Sequence, residues 1–408
     1  MTTKGQQFLA IGDKRPILHS GMRGSLTSIA AVFFLSLAHS PQTFASELNS
    51  DSPLVNAKRA VVSNYVVLVS ATYQDSVNAA KKLQSAVDSF LTEPSARTLD
   101  SAREAWRAAR APYCQTEAFR FYDGPIDQVE MMINAWPIDE NYIDYVAENS
   151  EAGVINAVEK YPSLSRELIL SLNEKEGKKN ISTGFHAIEF LLWGQDRNAS
   201  GPGDRSWRDY ATGARNADRR RQYLGLITKL LVEHLETVAH AWVEGSGYRT
   251  EFLANPDAAL GKILKGMGAL SGPELAGERL TVPYETKEQE DEQSCFSDNT
   301  RDDLVNDAIG IRNVFFGHFT GADGHKTKGF GVHDLLQRVD AKFADKLSTQ
   351  VEMAVAAAQS IPQPFDQAIT GPNTAPGRMA VKKAIVAFQT QSDSFAHAAQ
   401  VLSIKLDP

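Results

Sequence analysis

His186 and Glu189 stand three residues apart in FHAIEFLLW, residues 185–193, where seven of nine positions are apolar. A helix that is apolar all round is a buried helix. At about 100° per residue, the two polar side chains project roughly 60° apart, on one face. Trp193 follows Glu189 by one turn on the same side. A lone buried carboxylate takes up a proton or is strongly destabilising, so Glu189 requires a partner. Two readings fit. The histidine and glutamate bond each other and only hold the core, or they are two ligands of a metal ion completed by other helices.

Spacing removes several metal chemistries. No H-E-x-x-H occurs, so the usual zinc-peptidase helix is missing. The inverted H-x-x-E-H form fails because Phe190 occupies the second histidine position. The di-iron bundle motif runs E-x-x-H, the reverse order, and needs two copies. GVHDLLQRVD at 331–340 offers His333, but three residues on stands Leu336. His318, His325 and His333 lie in a glycine-rich stretch without regular ligand spacing, which reads as a flexible loop.

The elements that must position these side chains read as helices almost throughout. Residues 54–91 carry Val62, Val66, Val69 and Tyr73 at helical spacing. Ser101 and Glu104 have capping-box spacing at the start of a second helix. Pro112 should bend or end it, and Asp123-Gly124-Pro125 should stop it. Residues 151–175, broken at Pro162, and 215–244 give further amphipathic stretches, the latter with Leu224, Ile227, Leu231, Leu235 and Val238 on one stripe. The Arg219–Arg221 run reads as the start of a solvated face. Residues 251–271 read as helical to Ser271-Gly272-Pro273, followed by a polar loop over 272–300. Thr300 can cap a helix carrying Leu304, Ala308, Ile311 and Phe315; stretches 331–360 and 375–404 complete the set. The pattern predicts an all-α protein of two helix bundles, 54–245 and 246–408, with a soft boundary at EGSGYRT.

The N-terminal segment reads differently. LTSIAAVFFLSLA, residues 26–38, follows Lys4, Lys14, Arg15 and Arg23 and precedes PQTFASELNS. It is too short for a stable membrane span and reads as a secretory signal, residues 1–45, cleaved after Ala45, with translation starting at Met1 or Met22. No later segment reaches membrane-spanning length. The formal net charge is -8, and about -11 without residues 1–45, which argues against nucleic acid as a partner. Cys114 and Cys295 are the only cysteines; in an oxidising compartment they form one disulfide, or else they are two buried thiols.

GFHAIEFLLWGQD resembles the G-x-H-x-x-E signature of the imelysin-like family at Gly184, His186 and Glu189. AWRAARAPYCQTEAFRFYDGPID at 105–127 resembles that family's first helix and following turn. GMGALSGPELAGERL and EDEQSCFSDNTRDDL resemble the second half of its iron-regulated-protein-A branch. The resemblance covers most of residues 55–400. It implies an exported bacterial protein with two helix bundles related by duplication, in the periplasm or associated with the outer membrane. It also implies a link to iron uptake, with iron or an iron-bearing ligand and envelope iron-uptake proteins as partners. Insulin-cleaving metallopeptidases are the family's other implied activity.

On that resemblance, His186 and Glu189 lead as metal ligands, with iron favoured and zinc an alternative. Glu117, from the 113–127 segment, would complete the site. Tyr113, Arg120, Asp127, Gly184, Trp193 and Asp196 would line a ligand pocket around it. Arg120 can instead neutralise Glu117 or Glu189 as a buried ion pair. The plainer alternative for Glu117–Arg120 is a surface helix pair worth about 0.3–0.5 kcal/mol. Asp127 and Asp196 each follow a turn and fit helix caps equally well. YETKEQEDEQSCFSDNTRDD, residues 284–303, holds eight acidic and two basic residues and reads as a solvated loop with Asp298 as a cap. Three functions therefore stand open: a metal- or iron-binding envelope protein, a metallopeptidase, and an interaction module whose His186 and Glu189 are structural.

Overall fold

Helix length follows from uninterrupted apolar periodicity and from caps. In the computed structural model, which describes residues 52–198 and 200–406, the first helix runs Pro53–Thr92. Ser52 caps it and its proline sits at the start, where a missing N–H costs nothing. The second runs Ala96–Thr116 and continues as a 3-10 turn over Glu117–Phe119. Its capping box is Ser95 with Thr98, so the helix starts earlier than expected and Ser101 lies inside it. Pro112 is accommodated within the helix, which ends before Asp123-Gly124-Pro125. The expected signal segment 1–45, its cleavage after Ala45 and the Met22 start lie outside the described residues.

The remaining long helices are Ala217–Ala241, Pro256–Ala269, Thr300–Phe316, Ala341–Gln359 and Pro376–Val401. Residues 151–175 hold only two short helices, Gly153–Asn156 and Arg166–Leu172, on either side of Pro162. Three expectations about the second half fail. The chain does not stop at Pro273 but continues in a wider, π-type helix over Leu270–Thr281, then Val282–Thr286. Thr300 is the first helical residue rather than the cap, and its Oγ1 accepts the N–H of Ser294. Asp298 is not a cap either: it takes a left-handed φ of 58° in the preceding turn. The only sheet among the described residues is a two-strand hairpin, His318–Thr320 with Lys326–Lys328, in the glycine-rich stretch.

Residues 54–245 and 246–408 share one continuous apolar core among the described residues. The Thr300–Phe316 helix packs on Ala96–Thr116 so closely that a Cβ at Gly310 would lie 2.5 Å from the Gln115 carbonyl oxygen. Side chains bond across the same junction, from Gln115 to Asn306 and from Arg107 to the Ser297 carbonyl. This junction places the 292–299 loop against the Phe185–Trp193 helix. No described helix is long and apolar enough to cross a membrane.

Candidate functional site

Glycine is required where the signature helix begins. Gly184 has φ 91°, and a Cβ there would sit 2.6 Å from the Ile133 carbonyl oxygen. Every residue of Phe185–Trp193 is buried. Helix C-terminal carbonyls need outside donors, and here side chains supply them. Tyr210 donates to Leu191 O at 2.6 Å and Arg103 to Leu192 O at 3.1 Å. Trp106 Nε1 donates to Phe185 O at 2.9 Å. The helix is therefore fixed along its length.

His186 Nδ1 lies 2.8 Å from Glu189 Oε2. Glu189 Oε1 accepts both the Ser297 N–H at 2.9 Å and the Ser297 hydroxyl at 2.6 Å. The serine belongs to the far loop, so the carboxylate joins the two halves of the chain. Burial pushes Glu189 up to about 8, against the lowering effect of Ser297 and Arg110. Burial, reinforced by Arg110, drives His186 well below its ordinary value and keeps the imidazole neutral. Its other nitrogen, Nε2, is buried and has no hydrogen-bond partner among the described residues.

Around this pair runs a buried charge network. Arg110 holds Asp303 in two bonds of 3.1 and 2.9 Å, while Ser294 and Asn299 also donate to Asp303. Arg279 binds Asp307 at 2.9 Å, Glu274 at 2.7 Å and also Glu117. Arg120 binds Glu117 at 2.7 Å and Glu130 at 3.2 Å. Glu117 and Arg120 are thus a buried pair rather than a surface one. Although burial opposes ionisation, the Arg120 and Arg279 guanidiniums hold Glu117 below the ordinary carboxylate range. Burial instead drives Asp307 well above it. Three guanidiniums (Arg110, Arg120, Arg279) serve six acidic side chains (Glu117, Glu130, Glu189, Glu274, Asp303, Asp307), and the shortfall is met by protons that burial keeps on Glu189 and Asp307.

The proposed ligand set can now be placed. Glu117 spends Oε2 on two arginines, and Oε1 lies 3.4 Å from Asn134 Nδ2. Glu189 has both oxygens engaged. Among the described residues no group of three or more His, Cys, Asp and Glu side chains is arranged to hold a metal ion. An all-protein centre made of His186, Glu189 and Glu117 therefore does not fit this arrangement. What fits is a single unpartnered nitrogen, His186 Nε2, which can ligate once a cation displaces the proton that burial keeps on the pair, leaving Nδ1–H to donate to the ionised Glu189, the usual support of a ligating histidine. Tyr113 packs on Phe185 at 4.9 Å, and its hydroxyl and Asp307 Oδ1 are also buried without partners.

Other expected pocket residues have different tasks. Trp193 packs edge-on against Trp106 at 5.4 Å, with the Arg107 guanidinium 5.0 Å from its ring centre. Asp127 accepts the N–H groups of Phe121, Tyr122 and Gly124 and ties their turn. Asp196 accepts the Asn198 N–H at 2.9 Å and a bond from Gln289. Burial pushes it up to about 7. Cys114 and Cys295 form no disulfide; both are buried thiols. Cys114 Sγ instead lies 3.4 Å from Asp303 Oδ1.

Sequence reading passed over Arg110, Asp303, Asp307, Arg279 and Ser297. Four of them were detectable as charges set on apolar stripes. Arg110 falls one turn after Trp106, and Asp303 and Asp307 share the buried face of Thr300–Phe316. Ser297 carried no such signal.

Comparison with known proteins agrees with this architecture. Iron-regulated protein A of Synechococcus elongatus is 26% identical over 358 residues, 82% of this chain and 85% of that protein. A crystal structure described as an iron-regulated protein A precursor, from Parabacteroides distasonis, superposes with a TM-score of 0.67. It is 20% identical and covers 87% of this chain and 97% of its own. An imelysin-like protein from Psychrobacter arcticus gives 0.57 at 13% identity, covering 86% and 98%. The family model for imelysin, Peptidase_M75, matches residues 69–395, and the chain belongs to the imelysin family.

Proposed function

We propose that this chain is an exported, iron-related binding protein of the cell envelope that takes a metal-bearing ligand at His186. The observation that carries the reading is the buried, unpartnered Nε2 of an imidazole whose Nδ1 is fixed by Glu189. The surplus of buried carboxylates over guanidiniums favours a guest with positive charge, because burial otherwise holds protons on Glu189 and Asp307. Iron, rather than another metal, is supported by the name of the Synechococcus relative. Zinc remains the competing ion for an imidazole donor. Export is supported by the apolar run 26–38 behind basic residues.

His186 supplies the donor nitrogen in this reading, and Glu189 fixes ring orientation rather than acting as a ligand. Glu117, tied to two arginines, contributes counter-charge. The test is titration of the purified protein with ferric citrate and with zinc, followed calorimetrically. H186A should abolish saturable uptake. E189Q should weaken it about 10–100-fold, the usual cost of losing an outer-shell partner. Unchanged affinity in H186A removes the metal reading and leaves His186 and Glu189 as core residues of an interaction module.

A further inference from the structure

Helix Pro376–Val401 buries one stripe in the core, including Val381, Ala384, Ile385 and Phe388. It carries a second apolar stripe outward, with Met379 59% exposed and Val386 55% exposed. Met353 on the Ala341–Gln359 helix is 54% exposed. These side chains line one groove of about 550 Å³ together with Tyr284, Lys382 and Lys383. That volume is the size of a small-molecule site, and methionine walls adapt to flexible guests.

The groove's charge runs against that of the chain. Two lysines line it and no acidic residue does, in a protein of net charge -8. Neither lysine makes an ion pair among the described residues; Lys382 Nζ only rests 5.6 Å from the Tyr284 ring centre. Tyr284 is itself fixed. The Arg378 guanidinium lies 3.8 Å from its ring centre and donates to its carbonyl at 2.7 Å. The groove also contains Gln350, whose buried Oε1 lacks a partner among the described residues. Its amide can offer an acceptor or, rotated, a donor to a head group.

We infer that the groove between helices Ala341–Gln359 and Pro376–Val401 binds a free long-chain carboxylate. The alkyl chain would lie along Met353, Val386 and Met379, with the carboxylate at Lys382 and Lys383. This surface is independent of His186. The apolar walls accept a methylene chain without a hydrogen-bonding requirement. Two unpaired ammonium groups flanking the apolar stripe favour an anionic head over a neutral or cationic one.

The experiment is calorimetric titration of the intact protein with dodecanoate below its micelle concentration, alongside dodecanol and dodecyltrimethylammonium. Dodecanoate should bind saturably, and the neutral and cationic analogues about tenfold more weakly or worse. The surface variant K382E/K383E should lose carboxylate selectivity while keeping its melting temperature. A387W, which fills the groove, should lose all three ligands, and H186A should bind dodecanoate as the parent does. No dodecanoate binding overturns the inference, as does binding indifferent to both groove variants. So does binding only to anionic vesicles, or a sedimentation profile in which this face pairs two copies of the chain.

Discussion

Two buried ionic clusters in this molecule look alike in composition and differ in completeness. In one, Asp144 meets Arg205 at 2.5 Å and Arg220 at 2.6 and 2.9 Å, and Asn156 supplies a further donor. Its carboxylate has both oxygens filled, with Arg205 Nε the cluster's one unpartnered atom among the described residues, and although burial opposes it, Arg205 and Arg220 hold it below the ordinary carboxylate range. In the other, around His186, carboxylates outnumber arginines, and His186 Nε2, Tyr113 OH and Asp307 Oδ1 stay unpartnered. A closed cluster ties segments together. An open one retains bonding capacity for a guest. Charge balance and the satisfaction of the buried acceptors, rather than burial, separate the two.

The largest effect should come from breaking the closed cluster. D144N leaves two buried guanidiniums facing one neutral amide and should destabilise the fold by about 3–5 kcal/mol, read from urea denaturation. A loss below about 1 kcal/mol would show that the cluster is solvated or redundant.

Opening the His186 nest further should cost less, because it is already incompletely bonded. H186A should cost about 1–3 kcal/mol, the range for orphaning a buried hydrogen-bond partner. A cost as large as that of D144N would erase the contrast and make the histidine a structural keystone.

Glu189 sharpens the comparison through pH. Its folded pKa is raised to about 8, from an ordinary value of 4.5. A raised acid stabilises the fold fully below its unfolded pKa and loses that contribution as pH rises through the folded one. E189Q mimics the protonated acid, so it should gain melting temperature relative to the parent between pH 5 and pH 8, by an amount growing with pH. His186 contributes with the opposite sign, because its folded pKa is depressed and the unfolded chain takes up its proton as pH falls. It is present in both proteins, so the difference isolates Glu189. A difference that stays flat with pH would mean that Glu189 is ionised throughout.

How much of this was legible in the sequence depends on distance along the chain. The apolar stretch 185–193 announced both its burial and the shared face of His186 and Glu189, because helical periodicity is local. The close pairing of Glu117 with Arg120 followed from the same i, i+3 rule. Arg279 taking Glu117, and Ser297 taking Glu189, join residues 162 and 108 positions apart. Nothing in local spacing encodes such contacts. The Arg219–Arg221 run misled for a related reason. Composition assigned it to solvent, yet Arg220 is buried on Asp144, 76 positions away. Pro273 failed as a stop signal because the helix widened instead of ending.

The smallest effect concerns the thiols, and it separates both clusters from any covalent staple. Cys114 touches the open network through Asp303, while Cys295 lies in the loop that delivers Ser297. A disulfide between them would lock that loop to the second helix and make stability depend on redox state. Both sulfurs are free and buried, and burial pushes both thiols well above their ordinary value, where little thiolate exists to react. Adding dithiothreitol to the folded protein should therefore leave the melting temperature unchanged. Iodoacetamide should label neither cysteine until denaturant exposes them, and mass spectrometry should then count two adducts. A reductant-dependent drop in melting temperature would show that a covalent link, rather than hydrogen bonds from Ser297 to Glu189, holds the loop over the histidine.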